Sequence, residues 1–96
     1  MSQENHRIRL SAVVVTLNAE SQIEKCLKSL TFADDIVMVD SGSIDRTLAI
    51  AEANGARTIV QEWLGYGPQK NFAVSRATHD WVLCLDADER VSPELR

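Results

Sequence analysis

The sequence has only two cysteines, Cys26 and Cys84, in 96 residues. Two such residues do not form the disulfide framework that stabilises small secreted domains, so a reducing, cytoplasmic setting is expected. Glycine is also sparse, at four residues, and none falls in the Thr16-Leu17-Asn18-Ala19-Glu20 segment after the first apolar run. That excludes the G-x-G-x-x-G fingerprint of a dinucleotide-binding dehydrogenase, and a P-loop is absent as well. No apolar stretch approaches the roughly twenty residues of a bilayer-spanning helix; near the start the longest is Ala12-Val13-Val14-Val15. Residues Met1 to Arg7 lack the basic start and apolar core of a secretion signal. Ten basic residues against fourteen acidic give a net charge of -4, which argues against a nucleic-acid or polybasic membrane surface. There is no internal repeat. With 45% hydrophobic and 25% charged residues, the composition is that of one globular domain.

What remains is a regular alternation of apolar runs and helix-like stretches. Ile8 to Thr16 contains three consecutive valines, a pattern suited to a parallel strand covered on both faces. Ser21 followed by Glu24 matches a capping box, and Ile23, Cys26, Leu27 and Leu30 then fall on one helical face. Ile36 to Val39 predicts a second strand ending at Asp40. Leu48 to Ala53 predicts a helix stopped by Asn54-Gly55, and Thr58 to Val60 a third strand. A loop containing Gly65, Tyr66, Gly67 and Pro68 leads to a helix over Gln69 to Arg76, and Trp81 to Leu85 predicts a fourth strand ending at Asp86. The order βαβαβαβ calls for a three-layer α/β/α fold around a mainly parallel, Rossmann-like sheet.

Right-handed crossovers bring all strand carboxyl ends to one edge, where such sheets bind ligands. Asn18, Asp40, Asp86 and Asp88 should therefore share a cleft, with His79 and Asp80 on the opposite edge. Asp86-Ala87-Asp88 places two hard oxygen donors at a strand end, a pattern suited to Mg²⁺ or Mn²⁺ facing phosphate oxygens. Asp40 suits either hydrogen bonding to a ligand or capping of its own turn near Gly42. Ser43 and Asp45 are read as helix caps. Lys70, placed in a first helical turn where a cation is disfavoured, is either a donor to an anionic ligand or a solvated lysine. Tyr66 is a base- or sugar-stacking candidate, or a turn aromatic on the core. Cys26 and Cys84 read as small core residues, Trp63 and Trp81 as core or interface, and His6 and His79 as surface residues.

Three blocks now stand in order: Val13 to Glu20, Ile36 to Thr47, and Leu83 to Glu89. Together they resemble the nucleotide-binding half of family 2 glycosyltransferases with the GT-A fold. Gly67 to Ala73 and Asp86 to Arg90 are similar to the branch that adds a β-linked glucose to the lipopolysaccharide inner core. The resemblance implies inverting transfer from a nucleotide sugar, UDP-glucose, to a lipid-linked saccharide acceptor. It implies that Asp40 meets the uracil and that Lys70 lies beside the base or phosphates. Thr16, Asn18 and Glu20 would line the nucleotide pocket, and Asp86 and Asp88 would hold Mn²⁺ or Mg²⁺ against the diphosphate. Leu17 stands where the family usually has an aromatic residue, Ser41 where a second aspartate is frequent, and Ile44 where threonine is frequent.

Residues 1–7 are expected to be a flexible N-terminus and 8–96 the donor-binding half, with the acceptor half and its general base absent. The 96-residue chain alone is then expected to bind nucleotide weakly, to transfer no sugar, and to self-associate through surface that the acceptor half would cover. A lipid-linked acceptor would place the work at the inner face of the inner membrane. Two alternatives stay open. One is a non-catalytic nucleotide-sugar-binding module. The other is a haloacid-dehalogenase-like phosphatase, which would usually carry its Asp-x-Asp on the first strand rather than the fourth.

Overall fold

The computed structural model describes residues 9–88. Its elements are β1 (Leu10–Thr16), α1 (Ile23–Lys28), β2 (Asp35–Asp40), α2 (Thr47–Ala53), β3 (Arg57–Val60), α3 (Tyr66–Ser75) and β4 (Trp81–Asp86). All strands pair in parallel in the order β3-β2-β1-β4. Ile8, residues 1–7 and the segment from Glu89 onward lie outside the described residues.

The period of two along each strand assigns alternate side chains to opposite layers. Ala12, Val14, Met38 and Leu85 pack against Ile23, Cys26, Leu27 and Leu30 of the α1 region and Ala51 of α2. Val13, Val37 and Val39 pack instead with Ala73 of α3, flanked by Val15, Phe72 and Cys84. The continuous valine run is therefore explained: β1 is covered on both faces. Each fully buried valine or leucine contributes roughly 1.5–3 kcal/mol. The result is the three-layer α/β/α sandwich that the element order implies, with α1 and α2 on one side and α3 on the other. The chain leaves β1 for β2 through one layer and enters β4 through the other. The switch point thus falls between β1 and β4.

Several local expectations differ from the structure. Ser21 does not cap α1. The N-cap is Gln22, without a side-chain cap bond, because Ala19 O already accepts both Gln22 N–H and Ile23 N–H in a tight turn. The predicted face of α1 nonetheless holds, with Ile23, Cys26, Leu27 and Leu30 all buried. Helix α3 begins at Tyr66, three residues before the predicted Gln69. Gly65, at φ 107°, ends the preceding loop in a backbone conformation that other residues rarely adopt. Pro68 is tolerated in the first helical turn because its missing N–H would have no intrahelical partner there. Lys70 is consequently in the second turn, and the predicted conflict with the helix dipole does not arise. Trp63 and Trp81 are exposed rather than core residues, whereas Cys26 is buried as expected.

Candidate functional site

Strand register brings the acidic ends together. Thr16 of β1 lies beside Asp40 of β2, and Val15 lies beside Asp86 of β4. At this edge opens a cavity of about 490 Å³, within the size range of small-molecule sites. Val15, Thr16 and Leu17 form its wall on β1, with Ser41 and Asp86 contributed by the neighbouring strand ends. Its other wall comes from α3 and the loop before it: Trp63, Tyr66, Gln69 and Lys70.

Tyr66, Gln69, Lys70 and Ala73 are spaced i, i+3, i+4 and i+7, one face of α3. Gln69 and Ala73 are fully buried on that face. Lys70 Nζ stands 3.7 Å from Asp86 Oδ1, with both side chains a little under half exposed. A pair this accessible contributes little to stability and is open to exchange with a ligand. Gln69 is a residue that sequence reasoning missed. Its Oε1 accepts the Leu64 N–H at 3.0 Å, and its Nε2 donates to Gln61 O at 3.3 Å and to Ser41 Oγ at 3.4 Å. Starting the helical face at Tyr66 would have exposed the pattern in the sequence.

Asp40 does not line this cavity with its carboxylate. It is fully buried; Oδ2 accepts Gly42 N–H at 2.9 Å and Ser43 N–H at 2.6 Å, and Oδ1 accepts the Ser43 hydroxyl. The turn-capping role therefore occupies the side chain. Asn18 and Glu20 are similarly engaged. Asn18, at φ 48°, accepts Ile44 N–H through Oδ1, while its own N–H donates to Ser43 Oγ. Glu20 Oε1 accepts Arg46 N–H, and the Glu20 N–H donates to Asp45 Oδ2. The two loops after β1 and β2 are thus clasped reciprocally. Asp45 also accepts the Thr47 hydroxyl and N–H; chiefly the hydroxyl holds its carboxyl below the usual carboxylate range. Neither residue is the cap of α2 as expected: the N-cap is Arg46, without a side-chain cap bond, Asp45 bonds the first helical residue from the position before it, and Ser43 serves the β1–β2 clasp.

The single cleft expected for Asn18, Asp40, Asp86 and Asp88 is not found: Asp86 lines the first cavity, Asn18 and Asp88 border a second hollow of about 280 Å³ that shares the Val15–Leu17 wall, and Asp40 lines neither because its turn takes its carboxylate. Thr16 borders both hollows, and its Oγ1 is buried without a hydrogen-bond partner. Among the described residues no trio of His, Cys, Asp or Glu converges as a metal cage. The donors present fit a hard cation that takes one or two carboxylates and completes its shell with phosphate oxygens and water.

The opposite edge is built differently. Asp35 accepts Arg57 Nε at 3.0 Å and Nη2 at 2.8 Å, and also Ser11 Oγ and Thr78 N–H. Chiefly the guanidinium holds the Asp35 carboxyl far below the ordinary range, and Asp35 in turn raises Arg57. His79 N–H donates to Ser11 Oγ, placing His79 on this edge as expected.

Residues 11–96 match the family described as Glycosyl transferase family 2. A glycosyltransferase of Rickettsia bellii, itself uncharacterised, is 44% identical over 92% of this chain and 30% of its own length. A lipopolysaccharide core biosynthesis glycosyltransferase of Rhizobium meliloti, LpsC, is 38% identical over 94% of this chain and 35% of its own. Among solved structures, mannosyl-3-phosphoglycerate synthase of Rubrobacter xylanophilus superposes with a TM-score of 0.80 at 25% identity, over 97% of this chain and 35% of that one. Glucosyl-3-phosphoglycerate synthase of Mycobacterium tuberculosis, solved with Mn²⁺, UDP and product, gives 0.74 at 25% identity over 90% and 37%. The chain belongs to glycosyltransferase family 2, and its fold is the Rossmann-like sheet of the GT-A type. It spans about a third of the length of the relatives it matches.

Proposed function

We propose that this chain forms the donor site of an inverting glycosyltransferase that moves a sugar, glucose from UDP-glucose, to a lipopolysaccharide core acceptor. The observation that carries this reading is the Lys70–Asp86 pair in the cavity at the β1/β4 switch point. In this reading Lys70 exchanges its carboxylate partner for a diphosphate oxygen, gaining a charge-assisted hydrogen bond. Asp86 and Asp88 would hold Mn²⁺ or Mg²⁺, which supplies charge neutralisation on the departing diphosphate. The Mn²⁺ and UDP in the mycobacterial synthase support a divalent cation beside the nucleotide; the choice of Asp86 and Asp88 rests on their place at and just beyond the end of β4. The Thr16 hydroxyl, unpartnered between the two hollows, would donate to the donor. Asp40, Asn18 and Glu20 would act by holding the loops that shape the pocket. Any contact of Asp40 with the uracil would require one of its turn bonds to yield.

With Asp86 and Asp88 assigned to the cation, the base that deprotonates the acceptor hydroxyl is proposed to lie in a longer protein containing this chain. A lipid-linked acceptor places that protein at the inner face of the inner membrane; among the described residues no helix is long and apolar enough to cross it. The exposed Val60 and Trp81 on the outer strands β3 and β4 support self-association of the isolated chain. Light scattering should show dimers or larger species, and a monomer at all concentrations would contradict this. The functional test is sugar transfer from UDP-glucose to a deacylated core oligosaccharide. The longer protein should be active and its Asp86→Asn variant nearly inactive. An inactive longer protein, or release of phosphate from an aryl phosphate, would overturn the reading.

A further inference from the structure

The cavity combines two chemistries. Lys70 and Asp86 supply charge, while Trp63 and Tyr66 supply exposed aromatic surface, 53% and 77% accessible. Their rings meet edge to face, with centroids 5.1 Å apart and planes at 89°. An aromatic pair left this open gains little from burial, but it offers a flat apolar surface beside a cationic group. A ligand matching both must carry a planar ring and an anionic group in one molecule, as a nucleoside diphosphate does. Trp63 sits in a loop without regular structure, and such a loop would ordinarily be a poor platform. Here it is tied down by Gln69, whose fully buried carboxamide spans Gln61 O, Leu64 N–H and Ser41 Oγ. A buried carboxamide bonded on both sides has one low-energy placement, so the residues between Gln61 and Leu64 are held against α3 and the end of β2.

Resting on the donor-site reading, we propose that the base of the nucleotide packs against the Trp63–Tyr66 rim, and that Gln69 is the positioning residue that fixes this rim. Base–aromatic stacking is tolerant of base identity, so the rim supplies affinity while hydrogen bonds elsewhere select the base.

The test titrates UDP and, separately, pyrophosphate into the full chain with Mn²⁺ present. Trp63→Ala should weaken UDP by at least about fivefold and leave pyrophosphate unchanged. Trp63→Phe, which keeps an aromatic face, should restore most of the loss. Tryptophan emission gives a second readout: UDP should quench the chain and its Trp81→Phe variant, but not Trp63→Phe. Gln69→Ala should weaken UDP several-fold with pyrophosphate unchanged and should reduce the quench, a ligand-selective effect that a loss of fold would not produce. If the parent chain binds no UDP, the donor-site reading falls and this inference with it. If the parent binds UDP and Trp63→Ala binds it within twofold of the parent, this inference alone is overturned.

Discussion

The two edges of the sheet use similar residues for opposite ends. At the amino edge, Asp35 meets Arg57 through two nitrogens and adds Ser11 and Thr78, so β1, β2, β3 and the approach to β4 are stapled at one carboxylate. At the carboxyl edge, Asp86 meets Lys70 at 3.7 Å with both groups solvated. The difference is one of geometry and desolvation rather than of charge. A bidentate guanidinium bond on a carboxylate side chain only 12% exposed stabilises the fold. A long, accessible ammonium pair holds neither partner tightly. The sheet is held at one end by a shielded ion pair, while at the other the loops are fixed by hydrogen bonds and the charged side chains face solvent.

That contrast can be broken from either side. The largest effect is expected at the staple: Asp35→Ala should cost about 1–2 kcal/mol in urea unfolding, since it removes the acceptor shared by Arg57, Ser11 Oγ and Thr78 N–H, although the half-exposed Arg57 keeps its bonds to Arg76 O and Thr78 Oγ1. UDP affinity of the folded fraction should be unchanged. The same carboxyl sets an acid dependence. Its folded pKa is depressed, chiefly by Arg57, so its contribution is complete above the unfolded carboxylate value and is lost as pH falls below about 5. Melting temperature should drop over that range, and Asp35→Asn should drop less steeply. Next comes the loop clasp. Asn18→Ala removes the acceptor of Ile44 N–H and a side chain suited to a positive φ. It should cost about 1 kcal/mol by thermal melting. The smallest stability effect is expected at Lys70: Lys70→Ala should shift unfolding by less than about 0.5 kcal/mol while weakening UDP binding at least tenfold. A large stability loss there would erase the distinction between the edges.

Much of this organisation is legible in the residues. The Val13-Val14-Val15 run suits a strand covered on both faces, and Asp40 and Asp86 mark the ends of two further strands. That all strand carboxyl ends share one edge then followed from crossover handedness, whereas the strand order β3-β2-β1-β4 did not. What escaped was local competition for hydrogen bonds. Ser21 and Glu24 have the spacing of a capping box, yet a turn in which Ala19 O accepts the Gln22 and Ile23 N–H groups puts the N-cap one residue later, at Gln22. Asn18 and Glu20 lie in the loop after β1, but their side-chain oxygens are taken by backbone N–H groups of the next loop, a partnership between residues 26 apart that no linear spacing reveals. Gln69 was hidden by the early proline, which made the helix look three residues shorter and removed its buried face from view.

If the cavity between β1, β4 and α3 receives the nucleotide of a sugar donor, the chain should bind UDP there. Calorimetric titration of UDP into the chain, with and without Mn²⁺, tests this most directly. The account predicts a single saturable site that Mn²⁺ strengthens, with the metal effect removed by Asp86→Asn. Absence of binding, or binding that Asp86→Asn leaves equally responsive to Mn²⁺, would contradict it.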